Sequence, residues 1–216
     1  MLGPMPTNFC WTRFGTEAGE GIFHILRRKE RERTLSGGTF LWGIGNALGP
    51  SIRELLRVER EPEVLFSPIA SAPKQVDVSP PAVVAWSAGR DLDGASWRLP
   101  AASLVTSRVS PGKAPRHYAL VCFADKALRL DEEGPSFAVS AVENLLTSRP
   151  VGASQVTAVV RHAKKERGLG RTYRVAMRVR LIAPYFVELT GPNLVQGTAC
   201  AGPYHPREAS RQLELI

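Results

Sequence analysis

Cysteine is scarce: three in 216 residues, at positions 10, 122 and 200, with no Cys-x-x-Cys pair. That spacing excludes a zinc knuckle and a thioredoxin-type redox motif. An odd number of scattered thiols fits a reducing compartment, so a cytoplasmic location is the expectation. No apolar run approaches the roughly 20 residues that a membrane helix needs. The opening Met-Leu-Gly-Pro-Met-Pro-Thr lacks the basic and apolar regions of a secretory signal. No membrane partner is expected. Catalytic spacings are missing too. His24, His117, His162 and His205 form no HxxxH or HxH pair, and there is no GxSxG or HExxH. Asp91-x-Asp93-Gly94 begins like a Ca²⁺ loop, but no later glutamate completes it. Asp-Gly reads better as a hairpin turn. No metal and no cofactor is expected.

Negative charge is also in short supply. Lys and Arg number 28 against 20 Asp and Glu, a formal net charge of +8. Such a balance favours a polyanionic partner, most often DNA or RNA. The chain is 44% hydrophobic, enough to build a core, so global disorder is not expected.

Helical signals are few. Ser51-Ile-Arg-Glu54 has the form of a capping box, which predicts a short helix over 51–58. Ser136 as a cap, with Phe137, Val142, Leu145 and Leu146 roughly on one face, predicts another over 136–148. Residues 22–33 begin apolar and end in a charged run, which reads as a helix or as a strand entering a charged turn. Most other segments read as strands: 63–69, 82–88, 103–109, 117–124, 155–161, 172–181 and 186–189, punctuated by Pro and Gly. Pro184 reads as a stop between the last two. The expected fold is α+β and mainly β, a barrel-like mixed sheet with two or three short helices. A single domain over 1–216 is expected. It would carry a basic hairpin over 155–182 and a C-terminal tail over 198–216.

The densest functional signal lies in residues 172–181, Thr-Tyr-Arg-Val-Ala-Met-Arg-Val-Arg-Leu. Side chains alternate across a strand, so Tyr173, Val175, Met177, Val179 and Leu181 form an apolar face. Arg174, Arg178 and Arg180 share the opposite one. Arg161, Lys164, Lys165, Arg167 and Arg171 precede them, opposed locally only by Glu166. On a hairpin these cations would form a ribbon and its tip, suited to phosphate contacts that set affinity rather than sequence choice. Salt bridges to Asp131, Glu132 and Glu133 are the structural alternative. Lys164, Lys165, Arg167, Arg171, Arg174, Arg178 and Arg180 are therefore candidate nucleic-acid contacts.

Aromatic residues supply a second set. Bases stack on exposed rings, and Trp11, Trp42, Trp86 and Trp97 are the tryptophans. Trp97 stands in a polar stretch and reads as the most exposed. The glycine-rich run from Gly37 to Gly49 has neither a P-loop lysine nor a proper dinucleotide fingerprint. It reads as a strand with Phe40 and Trp42 on one face, entering a turn at 43–46. Phe40, Trp42, Asn46, Trp86 and Trp97 are the candidates for a base pocket, with core packing as their alternative.

Phe-Leu-Trp-Gly-Ile-Gly-Asn (40–46), followed by short strands with an aromatic-rich middle and the basic segment, resembles the PUA-like superfamily, nearest its EVE and ASCH types. The resemblance implies a compact β-barrel that binds RNA, or DNA with modified bases, in an aromatic-lined pocket. An EVE-type Gly-Asp turn is not evident here. The sequence thus leads to a nucleic-acid-binding module, with recognition of a modified or flipped base as a finer expectation. Two alternatives stand beside it. One is a structural subunit of a larger ribonucleoprotein or defence complex, with protein subunits as partners. The other is a metal-dependent nuclease whose site is dispersed along the chain.

Overall fold

The computed structural model describes residues 4–15, 22–44, 47–69, 83–98, 104–106, 117–152, 155–164, 168 and 170–193. Within these are two helices, α1 (Ile22–Leu35) and α2 (Gly49–Val58). The first strands are β1 (Asn8–Gly15), β2 (Thr39–Ile44), β3 (Glu63–Ile69), β4 (Val83–Arg90), β5 (Ser96–Arg98) and β6 (Leu104–Thr106). They are followed by β7 (His117–Phe123), β8 (Ser136–Ala138), β9 (Val142–Asn144), β10 (Thr157–His162), β11 (Thr172–Arg174) and β12 (Met177–Asn193). The architecture is α+β and mainly β. Ten strands join one sheet in the order β2-β7-β12-β3-β1-β10-β9, with β4 alongside β12 and carrying β5 and β6. Among the described strands only β1 and β3 run parallel, which makes the sheet mixed. Among the described strands it forms no closed barrel: the path ends at β2 and at β9.

Both sheet faces are covered. The largest cluster joins Phe40, Trp42, Phe66, Leu120 and Phe186 of the sheet to Leu26 of α1 and Ile52 and Leu55 of α2. A second, with Phe9, Trp11 and Phe137, lies under the small β8–β11 sheet. β1 serves both, with Cys10 and Phe14 in one cluster and Phe9 and Trp11 in the other. A third cluster, on Leu41, Val121, Val187 and Trp86, covers another part of the sheet. Since β1 is buried from Phe9 to Gly15, it shows no apolar–polar alternation, and sequence patterning does not mark it.

Several expectations need correction. α2 starts before the capping box: its N-cap is Leu48, with no side-chain cap, and Pro50 occupies the first turn. Proline suits that turn because the missing N–H would have no helical partner there. Ser51 is inside the helix, and Glu54 pairs with Arg57 at 2.7 Å. No α-helix forms over 136–148. That stretch is β8, a 3-10 turn at Val139–Ala141, β9, and a turn held by Asn144 Oδ1, which accepts from the N–H groups of Leu146 and Thr147. Long-range pairing overrides the helical spacing, with Phe137 opposite Tyr173 and Glu143 opposite Arg161.

The basic hairpin does not form either. β10 pairs with β1 and β9, whereas β11 pairs with β8 and β12 with β3, β7 and β4. Residues 172–181 are also not one strand. At Val175 and Ala176 the backbone leaves the small sheet for the large one, with their N–H groups donating to Pro135 O and Phe66 O. Pro184, by contrast, does not end a strand. β12 runs on through it with a register shift between Leu181 and Phe186, where Tyr185 takes a φ of 67°. Sequence-predicted tail residues 198–216 lie outside the described residues.

Candidate functional site

The alternation over 172–181 holds on either side of Ala176, which is buried although strict alternation puts it on the arginine face. Tyr173, Val175, Met177, Val179 and Leu181 are buried, while Arg174 and Arg180 are exposed and Arg178 is half-buried. The three arginines nonetheless sit in different surroundings. The Arg178 guanidinium lies 2.5 Å from the Glu63 carboxylate, and its Nη1 donates to Pro4 O at 2.8 Å. Arg174 Nη1 donates to Glu132 O at 2.6 Å. Arg180 meets no carboxylate within ion-pair distance among the described residues. Its guanidinium lies over the Phe123 ring, 4.8 Å from the centroid.

That stack follows from sheet register. Arg180 stands opposite Phe123 of β7 on one side and Glu63 of β3 on the other. Directly opposed residues share a face and touch across the pleat. Phe123 is backed in turn by Gly38, at the turn between α1 and β2. A Cβ built on Gly38 would come 2.5 Å from the ring, and φ there is 103°. Glycine alone combines that backbone angle with that clearance.

The Arg180 face opens into a groove of about 430 Å³ between β12 and residues 124–129. The outer wall is fixed rather than loosely draped. Ala124 N–H donates to Gly38 O, Leu128 N–H donates to a Glu30 carboxylate oxygen at 2.9 Å, and Leu128 is buried. Glu30 is held in turn by Arg33 at 2.8 Å, and that bond keeps its carboxyl below the usual range. The wall carries Asp125, Lys126 and Arg129, all exposed. Four cations therefore face two carboxylates, Glu63 and Asp125. Arg178 occupies Glu63, so the open part of the groove is cationic.

The other basic candidates divide. Arg161 is bound into the sheet by Glu143 and by Ser148 Oγ, at 2.8 and 2.7 Å. Lys164 and Arg171 are exposed, but they are not among the groove residues. Lys165 and Arg167 lie outside the described residues.

The aromatic candidates are not brought together as a pocket. Phe40 is fully buried and Trp42 nearly so. Trp42 packs edge-on against Phe66 and Phe14, with centroids 4.6 and 5.6 Å apart. Both contribute to the core, where patterning alone left them free to face either way. Trp86 is buried beside His117 at 4.7 Å, and that burial holds the imidazole below its ordinary value. Trp97 is half-buried at the edge of the same cluster. Asn46 lies outside the described residues. Asp91 does make a turn: its Oδ1 accepts from the N–H groups of Asp93 and Ala95. Among the described residues no cluster of His, Cys, Asp and Glu could hold a metal ion, and no helix is long and apolar enough to cross a membrane.

Sequence reasoning missed Phe123, Lys126 and Arg129 as site residues. Phe123 reads simply as the end of an apolar strand. Only the pairing of β7 with β12 sets it against an arginine 57 positions later. No family model, curated protein or solved structure matches the chain. The PUA-like resemblance rests on the residues that suggested it.

Proposed function

We propose that the protein is a nucleic-acid-binding module whose contact surface is the groove between β12 and residues 124–129. The observation that carries this reading is an Arg180 guanidinium held on the Phe123 ring, across a groove from Lys126 and Arg129. No carboxylate pairs with any of these three cations among the described residues. An arginine braced by a ring loses less freedom when it binds, and its N–H edges stay available for bidentate contact with a phosphate. Lys126 and Arg129 supply further phosphate donors at the rim. Arg174 and Arg171 are exposed but do not line the groove. The basic net charge of the chain draws a polyanion toward such a groove. A modified-base pocket built from Phe40 and Trp42 is no part of the proposal, because both rings are enclosed in the core.

The test is equilibrium binding of the full chain to labelled oligonucleotides at two salt concentrations. Engaging about three phosphates predicts a log–log salt slope near −2 to −3. Arg180→Ala combined with Lys126→Ala should weaken binding to every sequence alike. Wild-type affinity in the double variant, or binding indifferent to salt, would remove the groove from the account.

A further inference from the structure

Resting on that reading, we infer that the groove accepts single-stranded nucleic acid, with one unstacked base lying on the outer face of Arg180. Gly38 leaves room for the edge of the Phe123 ring, the Arg180 guanidinium lies over that ring, and both Phe123 and Arg180 line the groove. One side of Arg180 meets the ring, 4.8 Å from its centroid, and the residue as a whole is exposed. Guanidinium planes are stacking platforms for bases, as aromatic rings are. Here the ring beside Arg180 supports the platform, and the lack of a side chain at Gly38 leaves room for the ring.

The size of the groove points the same way. About 430 Å³ lies within the range that holds one small ligand, and both walls are fixed chain. A strand can thread one nucleotide between these walls while its neighbouring phosphates meet Lys126 and Arg129 at the rim. A duplex keeps its bases stacked on one another, so it could offer Arg180 only phosphate. Asp125, an exposed carboxylate on the wall, would repel a phosphate but can accept from a base amino group. Phe123 acts here as a positioning residue, since it reaches the base only through Arg180.

The experiment compares four ligands of matched length on the full chain: a single strand as DNA, the same as RNA, the duplex, and a strand with abasic sites, which keeps its phosphates. The intact single strands should bind about tenfold tighter than the duplex and the abasic strand. Arg180→Lys, which keeps the charge, should lose most of that advantage while leaving the salt slope unchanged. Phe123→Leu should act in the same direction. If the abasic strand or the duplex binds as well as the intact strand, base stacking on Arg180 is wrong, although the nucleic-acid reading stands. If none of the four binds, that underlying reading fails as well.

Discussion

The Lys29–Glu32 pair under α1 and the arginine face of β12 are both charged, yet their environments are opposite. Lys29 and Glu32 are buried to 3% and 1% exposure, 2.8 Å apart. They are held by the edge of β2 that no described strand pairs. The Leu41 N–H donates to Glu32 at 2.6 Å, and Lys29 donates to the Leu41 carbonyl. An edge strand with unpaired backbone groups is a template for unwanted pairing, and here a helix covers it with matched charges. Every polar atom of that arrangement is thereby engaged inside the protein. Among the described residues Arg180 meets the Phe123 ring and no carboxylate, and it lines the open groove. Charge density alone therefore says little about function; what matters is which charges the fold leaves unengaged.

The largest effect should follow from breaking the buried pair. Glu32→Ala leaves the Lys29 ammonium buried without its carboxylate and the Leu41 N–H without its acceptor. The expected loss is about 3–5 kcal/mol, measured by urea unfolding. Replacing both residues with apolar ones of similar volume should recover much of that loss, because a buried pair contributes little beyond mutual compensation. A single variant with undiminished stability would mean that the pair is not sealed from water.

The cysteines sharpen the same contrast. Cys10 and Cys122 lie buried in the main cluster, and Lys29 and Glu32 both act on the Cys122 thiol. Burial pushes the Cys10 thiol up to about 12, and at Cys122 burial outweighs the cation and raises that thiol as well. Neither should react with a thiol reagent at neutral pH until the protein unfolds. Mass spectrometry of native and denatured protein checks this.

A smaller effect belongs to His117, which lies between these extremes. Burial against Trp86 sets its folded value below the ordinary 6.5. The unfolded chain therefore takes up the proton first. The stabilisation is present above pH 6.5 and is lost as pH falls through the folded value. His117→Gln should flatten that acid-side decline in thermal melts run in steps from pH 7 to 5. An unchanged decline would assign it to carboxylates instead.

Local patterning made some of this fold legible. Residues 63–69 and 117–124 read as strands because short β-rich runs end at turn residues, and the buried face of 172–181 followed from strict alternation. In 22–33 the charged tail obscured a continuous helix, since Lys29 and Glu32 lie on its inner face. What could not be read was pairing. β1 carries no alternation because both its faces are buried, and without it β10 has no visible partner except the arginine strand. The candidate site was half legible for the same reason. Its arginines stand on one face of one strand, whereas Phe123, Gly38 and the wall at 124–129 join them only through sheet register.

Arg178 and Arg180 sit two residues apart on one face of β12, so they offer the most direct test of the difference between engaged and unengaged charge. Each would be changed to alanine, and thermal melting measured beside oligonucleotide binding. Arg178→Ala breaks the bond to Glu63 and the contact with Pro4. It should cost about 1 kcal/mol, or about 2–4 °C in Tm, with a modest effect on binding. Arg180→Ala should leave Tm within about 1–2 °C of wild type and weaken single-strand binding about tenfold or more. The reverse pattern, with Arg180 governing stability and Arg178 governing binding, would contradict the account.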